Sequence, residues 1–456
     1  MNLTEMKNKR VMICGMARSG IAAAKLLLSM GAVVTISDLK EEAKFGADLD
    51  ELRTENCIFA LGCPPDAYIE KQDMMVISPG IAFAKPFVQK AVEAGVEVIG
   101  ELELGARRMC GELVAITGTN GKTTTTTLVG EFFKAAGRTT HVVGNIGYPI
   151  TAAAGESTNE DVTVAEVSSY QCETIREFHP QVGAVLNITE DHLARHGTME
   201  CYVAMKRRIF AQQEAHDYAV FNYDDATCRE MAEGLTAKIA WFSRTQQVSF
   251  GACVMDGNIV LRAGGEHVVC ACDEVLIPGP HNLENALAAV TIAGLLGVRP
   301  ETMREVLKTF SGVEHRIETV RTIDGVTWIN DSKGTNVDST LKAIDTMTRP
   351  TVLILGGSDK KTNFDPLAQA IVQSGNIIHC VLIGDTAQQI SQSLDRAGYT
   401  AYELAGYDFD DCIARCRAAA VPGGNVLLSP ACASFDMFVD YEDRGRVFKK
   451  KIMGLK

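Results

Sequence analysis

The run Val114-Ala115-Ile116-Thr117-Gly118-Thr119-Asn120-Gly121-Lys122-Thr123-Thr124 carries the residue types needed to hold phosphate. Its apolar start reads as a buried strand, and the stretch from Thr125 towards Gly137 reads as a helix. Between them, the small residues Gly118, Thr119, Asn120 and Gly121 let backbone N–H groups converge on phosphate oxygens, helped by the partial charge of a helix N-terminus. Lys122 is placed to reach the terminal phosphates, and the hydroxyl of Thr123, with Thr124 next to it, to hold Mg²⁺. The common form of this loop, G-x-x-x-x-G-K-[ST], needs glycine at position 116, where this chain has Ile116. The loop is therefore a shortened variant, which weighs against an ordinary nucleotide hydrolase. A glycine-rich turn with a solvated lysine is the competing reading.

Three clusters downstream suit the same chemistry. Glu166 ends the strand-like run Val162-Thr163-Val164-Ala165, where a carboxylate can hold Mg²⁺ beside a phosphate loop. Without the loop, a solvated strand-end glutamate would be the better reading. Asn187-Ile188-Thr189-Glu190-Asp191-His192 lies just past another strand. There Asp191 suits a helix cap, Glu190 the surface, and His192 either a metal ligand or a structural histidine. Met205-Lys206-Arg207-Arg208 falls on a helix expected from Cys201. Such a cationic run is ordinarily a solvated face, and spacing does not say which of the three points inward.

Further along come His315-Arg316, Asn330-Asp331-Ser332-Lys333-Gly334-Thr335-Asn336, Gly356-Gly357-Ser358-Asp359-Lys360 and Ser429-Pro430-Ala431-Cys432-Ala433-Ser434-Phe435-Asp436. The last three follow strand-like runs. Polar, lysine-bearing loops at the C-terminal ends of strands are what a ligand crevice in an open α/β sheet requires.

Strand and helix signals alternate along the chain, which predicts an α/β protein of three domains: residues 1–100, 101–312 and 313–456. The first is a doubly wound, Rossmann-like unit, with strands at Val11–Cys14, Val33–Ile36 and Val76–Ser78. Asp38 is expected just past the second of these. The second is an ATPase-like α/β unit built on the phosphate loop, ending in short β segments between Trp241 and Ile277 and an alanine-rich helix from His281 to Gly294. The third is again Rossmann-like. Gly15, Gly20 and Asp38 suggest a dinucleotide site, but G-x-x-x-x-G lacks the middle glycine of G-x-G-x-x-G. A nucleotide-like ligand at these strand ends is the better expectation.

The 456 residues include 57 acidic and 44 basic ones, a net charge of −13, which excludes a general nucleic-acid binder. An anionic substrate must then be held by local cations and helix ends. The 14 cysteines form no C-x-x-C pair, as expected of small buried hydrophobes in a reducing compartment; Cys270 and Cys272 alternate on an expected strand. With no secretory h-region and no apolar run long enough to span a bilayer, a cytoplasmic location and no membrane insertion are expected.

Five segments together, Gly118-Thr119-Asn120-Gly121-Lys122-Thr123, Glu166-Val167-Ser168-Ser169, Asn187–His192, Pro280-His281-Asn282-Leu283-Glu284-Asn285-Ala286 and Asp331-Ser332-Lys333-Gly334-Thr335-Asn336, resemble the Mur ligase family of peptidoglycan synthesis over nearly the whole chain. The Gly15-to-Asp38 unit, Ser78-Pro79-Gly80-Ile81, Asn145-Ile146-Gly147 and Leu428–Ser434 resemble the branch that adds D-glutamate to UDP-N-acetylmuramoyl-L-alanine. The resemblance implies ATP and two Mg²⁺ ions as cofactors, and a monomer is expected. Lys122 would contact the ATP phosphates, Thr123 and Glu166 would hold one Mg²⁺, and His192 and a carbamylated Lys206 the other. Arginine does not form this adduct under ordinary conditions, which favours Lys206 over Arg207. Asn282, Asn285, His315, Arg316 and Asp331 would bind the nucleotide. Ser19, Asp38 and Ser78 would face the uridine diphosphate, Asn145 and His192 the muramoyl-alanine end, and Thr335, Lys360, Ser434 and Phe435 the D-glutamate. Tyr441 stands where the family leads one to expect phenylalanine, and Asp38-Leu39-Lys40 differs from the expected uridine-contacting triplet.

The mechanism so implied is amide synthesis through an acyl phosphate, with closure of the third domain as a catalytic step. A folylpolyglutamate synthase shares the second and third domains but lacks a Rossmann-like unit before the phosphate loop, and this chain spends over a hundred residues there. A nicotinamide-dependent dehydrogenase leaves the phosphate loop unexplained. A non-enzymatic nucleotide switch has no need of Glu166, His192 and the third-domain lysines.

Overall fold

The computed structural model describes residues 6–359 and 362–455, and contains three predominantly parallel β-sheets flanked by helices. Valine- and isoleucine-rich strands such as Val162–Glu166 and Thr351–Gly356 are buried along their full length, as strands covered by helices on both faces must be.

The chain divides into two compact units, Met1–Leu276 with Leu283–Thr309, and Ile277–Asn282 with Phe310–Lys456. In the first unit, the N-terminal sheet has five parallel strands in the spatial order Cys57–Leu61, Val33–Asp38, Arg10–Cys14, Met74–Ile77, Glu97–Gly100. The strand order reverses beside Arg10–Cys14, and the crevice for a ligand opens at the C-terminal ends there. Asp38 is the last residue of its strand rather than the residue past it, because Ser37 and Asp38 continue the parallel ladder with Ala60 and Leu61.

The second sheet of this unit has nine strands. Glu112–Thr117 lies at its heart, paired in parallel with Val162–Glu166 on one side and Val182–Val185 on the other. That register sets Ile116 opposite Glu166 and Thr117 opposite Val185, so one level of the sheet delivers the phosphate loop, the acidic strand end and the segment leading to His192. The strands Gly251–Met255, Asn258–Arg262 and Glu266–Ala271 form the antiparallel edge. Cys270 is buried on the last of them, whereas Cys272 has already left the strand.

The two sheets of this unit are joined through buried carboxylates. Glu103, fully buried, accepts backbone N–H groups of Arg176, Glu177 and Phe178 at 3.0, 2.8 and 3.1 Å and the Arg107 guanidinium at 2.8 Å. Glu101 accepts the backbone N–H and hydroxyl of Thr151 at 2.8 and 2.7 Å, and burial raises its pKa. Charged acceptors that saturate backbone donors in this way fix one layer on the next.

Helix starts differ from expectation at two places. The helix after the phosphate loop begins at Lys122, not near Thr125, because its threonines are buried (Thr125 and Thr126 are 0% exposed) and packing overrides their weak helix propensity. The helix carrying Lys206 runs Met199–Arg207, fixed early by the Thr198 side chain accepting the Cys201 N–H.

The second unit holds six strands in the order Glu318–Ile323, Val326–Asn330, Asn425–Leu428, Thr351–Gly356, Ile377–Ile383, Tyr402–Gly406; all neighbours are parallel except the first pair. Asn330 pairs with Leu428, which in turn pairs with Ile354. The loops after these three strands therefore leave the sheet side by side.

Candidate functional site

The phosphate loop is shaped by its own glycines. Gly118 has φ +145° and Gly121 φ +84°, and a Cβ on Gly121 would stand 2.2 Å from Asn285 Oδ1. The loop is tied to the Asn187–His192 segment. The Thr119 N–H donates to Asn187 O at 2.9 Å, and the Asn120 N–H to Asn187 Oδ1 at 2.9 Å. Thr119 Oγ1 donates to Thr189 O at 3.1 Å and receives the Thr189 N–H at 3.0 Å. Lys122 Nζ folds back on the loop carbonyls of Gly118 and Thr119 at 2.9 and 2.7 Å, curling over the cradle it is expected to serve. Ile116 is the fully buried penultimate residue of the strand, so the position where the usual loop has glycine is here still sheet.

Glu166 and Thr123 are both buried beside this loop, at 1% and 5% exposure. Asn145 Nδ2 donates to Glu166 Oε1 at 2.7 Å, while Glu166 Oε2 receives no hydrogen bond among the described residues. A buried carboxylate oxygen left without a donor is costly unless a cation meets it, and a hydroxyl with a carboxylate is the donor set a hard divalent ion takes. The residues fit Mg²⁺. Asn145, expected at the muramoyl-alanine end of the substrate, thus also touches this carboxylate.

Of the three cations in the Lys206 run, the structure turns Lys206 inward. It is 1% exposed, and Nζ donates to Gly118 O at 2.7 Å and lies 3.3 Å from Thr117 Oγ1. The ring of Tyr202 lies 4.7 Å below the ammonium, and the Tyr202 hydroxyl meets Thr119 Oγ1 at 3.1 Å. Arg207 instead caps the carbonyls of Met231 and Glu233, and Arg208 those of Glu173 and Ile175. Among the described residues, Lys206 forms no ion pair with a carboxylate. Burial, and then the charge of Lys122, push its pKa down to about 7. Much of it is thus neutral amine near neutrality, the form that can add to carbon dioxide.

His192 sits in left-handed backbone (φ 56°) at the turn before the short helix Leu193–His196. Its Nδ1 lies 3.0 Å from the Tyr170 hydroxyl, and Asp191 Oδ1 accepts its backbone N–H at 2.8 Å. Asp191 thus holds the turn rather than capping a long helix.

At the N-terminal sheet, Gly15 has φ +95°, and a Cβ there would come within 2.6 Å of Ser78 Oγ, which donates to Gly15 O at 3.2 Å. Asp38 accepts the N–H groups of Met16 and Lys40 at 2.8 and 2.9 Å. The structure thus gathers Asp38 and Ser78 around the Gly15 loop, with Ser19 in the first turn of the following helix, Arg18–Ser29.

The second unit gathers its own loops. Asp331 is buried and accepts Ser429 Oγ at 2.6 Å and the Ile317 N–H at 3.2 Å; burial raises its pKa to about 6, against the lowering effect of Arg316. His315 Nδ1 lies 2.9 Å from Asn330 Nδ2. Asn282, also in this unit, donates to Pro278 O at 2.7 Å, whereas Asn285 belongs to the first unit and lies 3.4 Å from Thr125 Oγ1. Ser434 is buried with its hydroxyl unpartnered among the described residues, Phe435 is 72% exposed, and the Thr335 N–H donates to Lys333 O at 2.8 Å. Lys360 lies outside the described residues. Arg444, which no local spacing signalled, is 1% exposed and ties the loops together: it donates to Ser332 Oγ and O and to the carbonyls of Cys432 and Ala433 at 2.7–3.3 Å.

The loop geometry predicts that Gly121→Ala abolishes the rise in unfolding temperature produced by Mg-ADP, since the new Cβ meets Asn285. Gly137→Ala, also at positive φ (+80°) but in open space, should keep that rise at a cost of about 1 kcal/mol in stability. Thermal unfolding with and without Mg-ADP checks this; an undiminished response in Gly121→Ala contradicts the phosphate-cradle reading.

Comparison with known proteins identifies the family. The family model for the Mur ligase MurD-like, N-terminal domain matches residues 9–100, that for the Mur ligase middle domain 116–293, and that for the Mur ligase, glutamate ligase domain 315–432. The chain is 42% identical over 455 residues to the UDP-N-acetylmuramoylalanine-D-glutamate ligase of Alkaliphilus metalliredigens, covering 99% of both chains. It is 43% identical over 457 residues to the protein of the same name from Clostridioides difficile, covering 99% of this chain and all of that one. In fold it is similar to the UDP-N-acetylmuramate-alanine ligase of Thermotoga maritima, with TM-score 0.63 and 19% identity over 98% of this chain and 100% of that one. The chain belongs to the Mur ligase family.

Proposed function

We propose that this protein is an ATP-dependent ligase that joins D-glutamate to UDP-N-acetylmuramoyl-L-alanine in the cytoplasm, acting as a monomer in cell-wall precursor synthesis. The observation that carries the reading is the setting of Lys206: a buried amine against the phosphate loop, without a carboxylate partner among the described residues, in the company of Lys122 and of Glu166, whose Oε2 meets no donor among them. A hydrolase has no use for such an amine, whereas its carbamate would be a second anionic ligand for a metal pair. The choice of D-glutamate follows the names of the full-length relatives.

Residues 1–100 would bind the UDP-linked substrate, residues 101–312 ATP, and residues 313–456 the amino acid. Thr123 and Glu166 would hold one Mg²⁺, His192 and carbamylated Lys206 the other. Bound there, the ions would offset the repulsion between the alanyl carboxylate and the triphosphate. Lys122 swings from the carbonyls of Gly118 and Thr119 to the terminal phosphates, and the loop N–H groups and helix end stabilise charge as the phosphoryl group passes to the carboxylate. Asn145 orients Glu166. Asn282, Asn285, His315, Arg316 and Asp331 bind the nucleotide. Ser19, Asp38 and Ser78 hold the uridine diphosphate. Thr335, Lys360, Ser434 and Phe435 hold D-glutamate, whose amine attacks the acyl phosphate and expels phosphate.

Two outcomes are expected. Phosphate release, followed with an amino-acid panel, should require both the UDP-linked substrate and D-glutamate; release driven instead by tetrahydrofolate and L-glutamate would point to a folate ligase. Lys206→Ala should lose about a hundredfold or more in kcat. Bicarbonate should not restore it, while a short carboxylic acid restores part, and Arg207→Ala should retain turnover. Full activity in Lys206→Ala would remove the carbamate from the account.

A further inference from the structure

One contact between the two sheets of the first unit has no part in the chemistry described above. The loop after the strand Met74–Ile77 starts at Ser78, beside the Gly15 turn, and passes through Phe83 before the helix Pro86–Glu93. Arg195, three residues after His192, reaches across to this loop: its Nη2 donates to Ile81 O at 3.1 Å and its Nη1 to Gly80 O at 3.5 Å. The same guanidinium grips Glu173 through Nε and Nη2, both at 2.8 Å. Glu173 Oε2 in turn accepts the Phe83 N–H at 3.3 Å. Both side chains are largely buried, 17% and 13% exposed, where a charge-assisted, two-pronged pair is held in one geometry. Arg195 also lies 4.8 Å over the ring of Tyr170, whose hydroxyl meets His192.

Glu173 and Arg195 thus touch three backbone groups of the loop on one side and the Tyr170–His192 contact on the other. A clamp that served stability alone would have no reason to end on these two places, the loop beside the Gly15 turn and the histidine turn beside the phosphate loop. We propose that Arg195 and Glu173 are positioning residues that hold the 80–83 loop in register with the His192 turn, so that a UDP-linked substrate seated against the N-terminal sheet presents its carboxylate to the phosphoryl-transfer residues. The inference rests on the ligase reading above and adds to it the device that sets substrate register.

The test is steady-state kinetics with each of the three substrates varied in turn, together with calorimetric binding of UDP-N-acetylmuramoyl-L-alanine. Arg195→Met should raise KM and Kd for the UDP-linked substrate about tenfold, the scale of one lost charge-assisted contact. KM for ATP and for D-glutamate should stay within about twofold. Arg195→Lys should recover part of the loss. Glu173→Gln, which keeps an acceptor for the Phe83 N–H, should give a smaller change, and the double variant should be no worse than Arg195→Met, as expected of a pair acting as one unit. Unchanged binding of the UDP-linked substrate in both single variants overturns the proposal, and so does an equal loss for all three substrates. If the wild-type protein itself fails to bind the UDP-linked substrate while binding Mg-ADP, the ligase reading falls instead.

Discussion

The structure turns on a single parallel register in the central sheet. Because Ile116 is held opposite Glu166 and Thr117 opposite Val185, three strand ends leave the sheet at one level. From that level emerge the phosphate loop, the acidic strand end, and the segment that carries Asn187, Thr189 and His192. A slip of one residue would turn every side chain of the shifted strand to the opposite face. The loop-to-loop hydrogen bonds of Thr119, Asn120, Asn187 and Thr189 hold the ends together once they have left the sheet.

Lys206 acquires its character from that arrangement. An amine pressed against the Gly118 carbonyl, lying over the Tyr202 ring and near the charge of Lys122, is shifted towards its neutral form by burial. Glu166 has the complementary problem, a carboxylate oxygen with no donor among the described residues. A divalent cation relieves the cost at Glu166, whereas at Lys206 only conversion of the amine to an anionic ligand would make such an ion welcome. The second unit uses a different device: a buried arginine, Arg444, gathers carbonyls from two loops and so shapes the surroundings of Ser332 and Ser434.

Much of this was legible in the amino-acid order, because the phosphate loop, Glu166 and His192 each follow an apolar strand-like run within a few residues. The alternation of strand and helix signals was enough for an α/β architecture with Rossmann-like ends. Less visible were strands with weak or mixed patterns, such as Cys57–Leu61 and Thr140–Gly144, which exist because a neighbouring strand accepts them. The inward turn of Lys206 could not be read from Lys206-Arg207-Arg208, since only the carbonyls of Met231, Glu233, Glu173 and Ile175 draw the two arginines away. Arg195, Glu173, Tyr202 and Arg444 were missed for a related reason: the contacts that define them, to Gly80, Ile81, Phe83, Thr119 and Ser332, come from distant parts of the chain, and no local spacing encodes them.

The central claim is that ATP activates a carboxylate rather than water. Turnover of UDP-N-acetylmuramoyl-L-alanine carrying ¹⁸O in its alanyl carboxylate, with mass analysis of the released phosphate, tests it directly. The account predicts that each phosphate released carries one oxygen from the labelled carboxylate. Phosphate free of the label, released in step with amide formation, would contradict it.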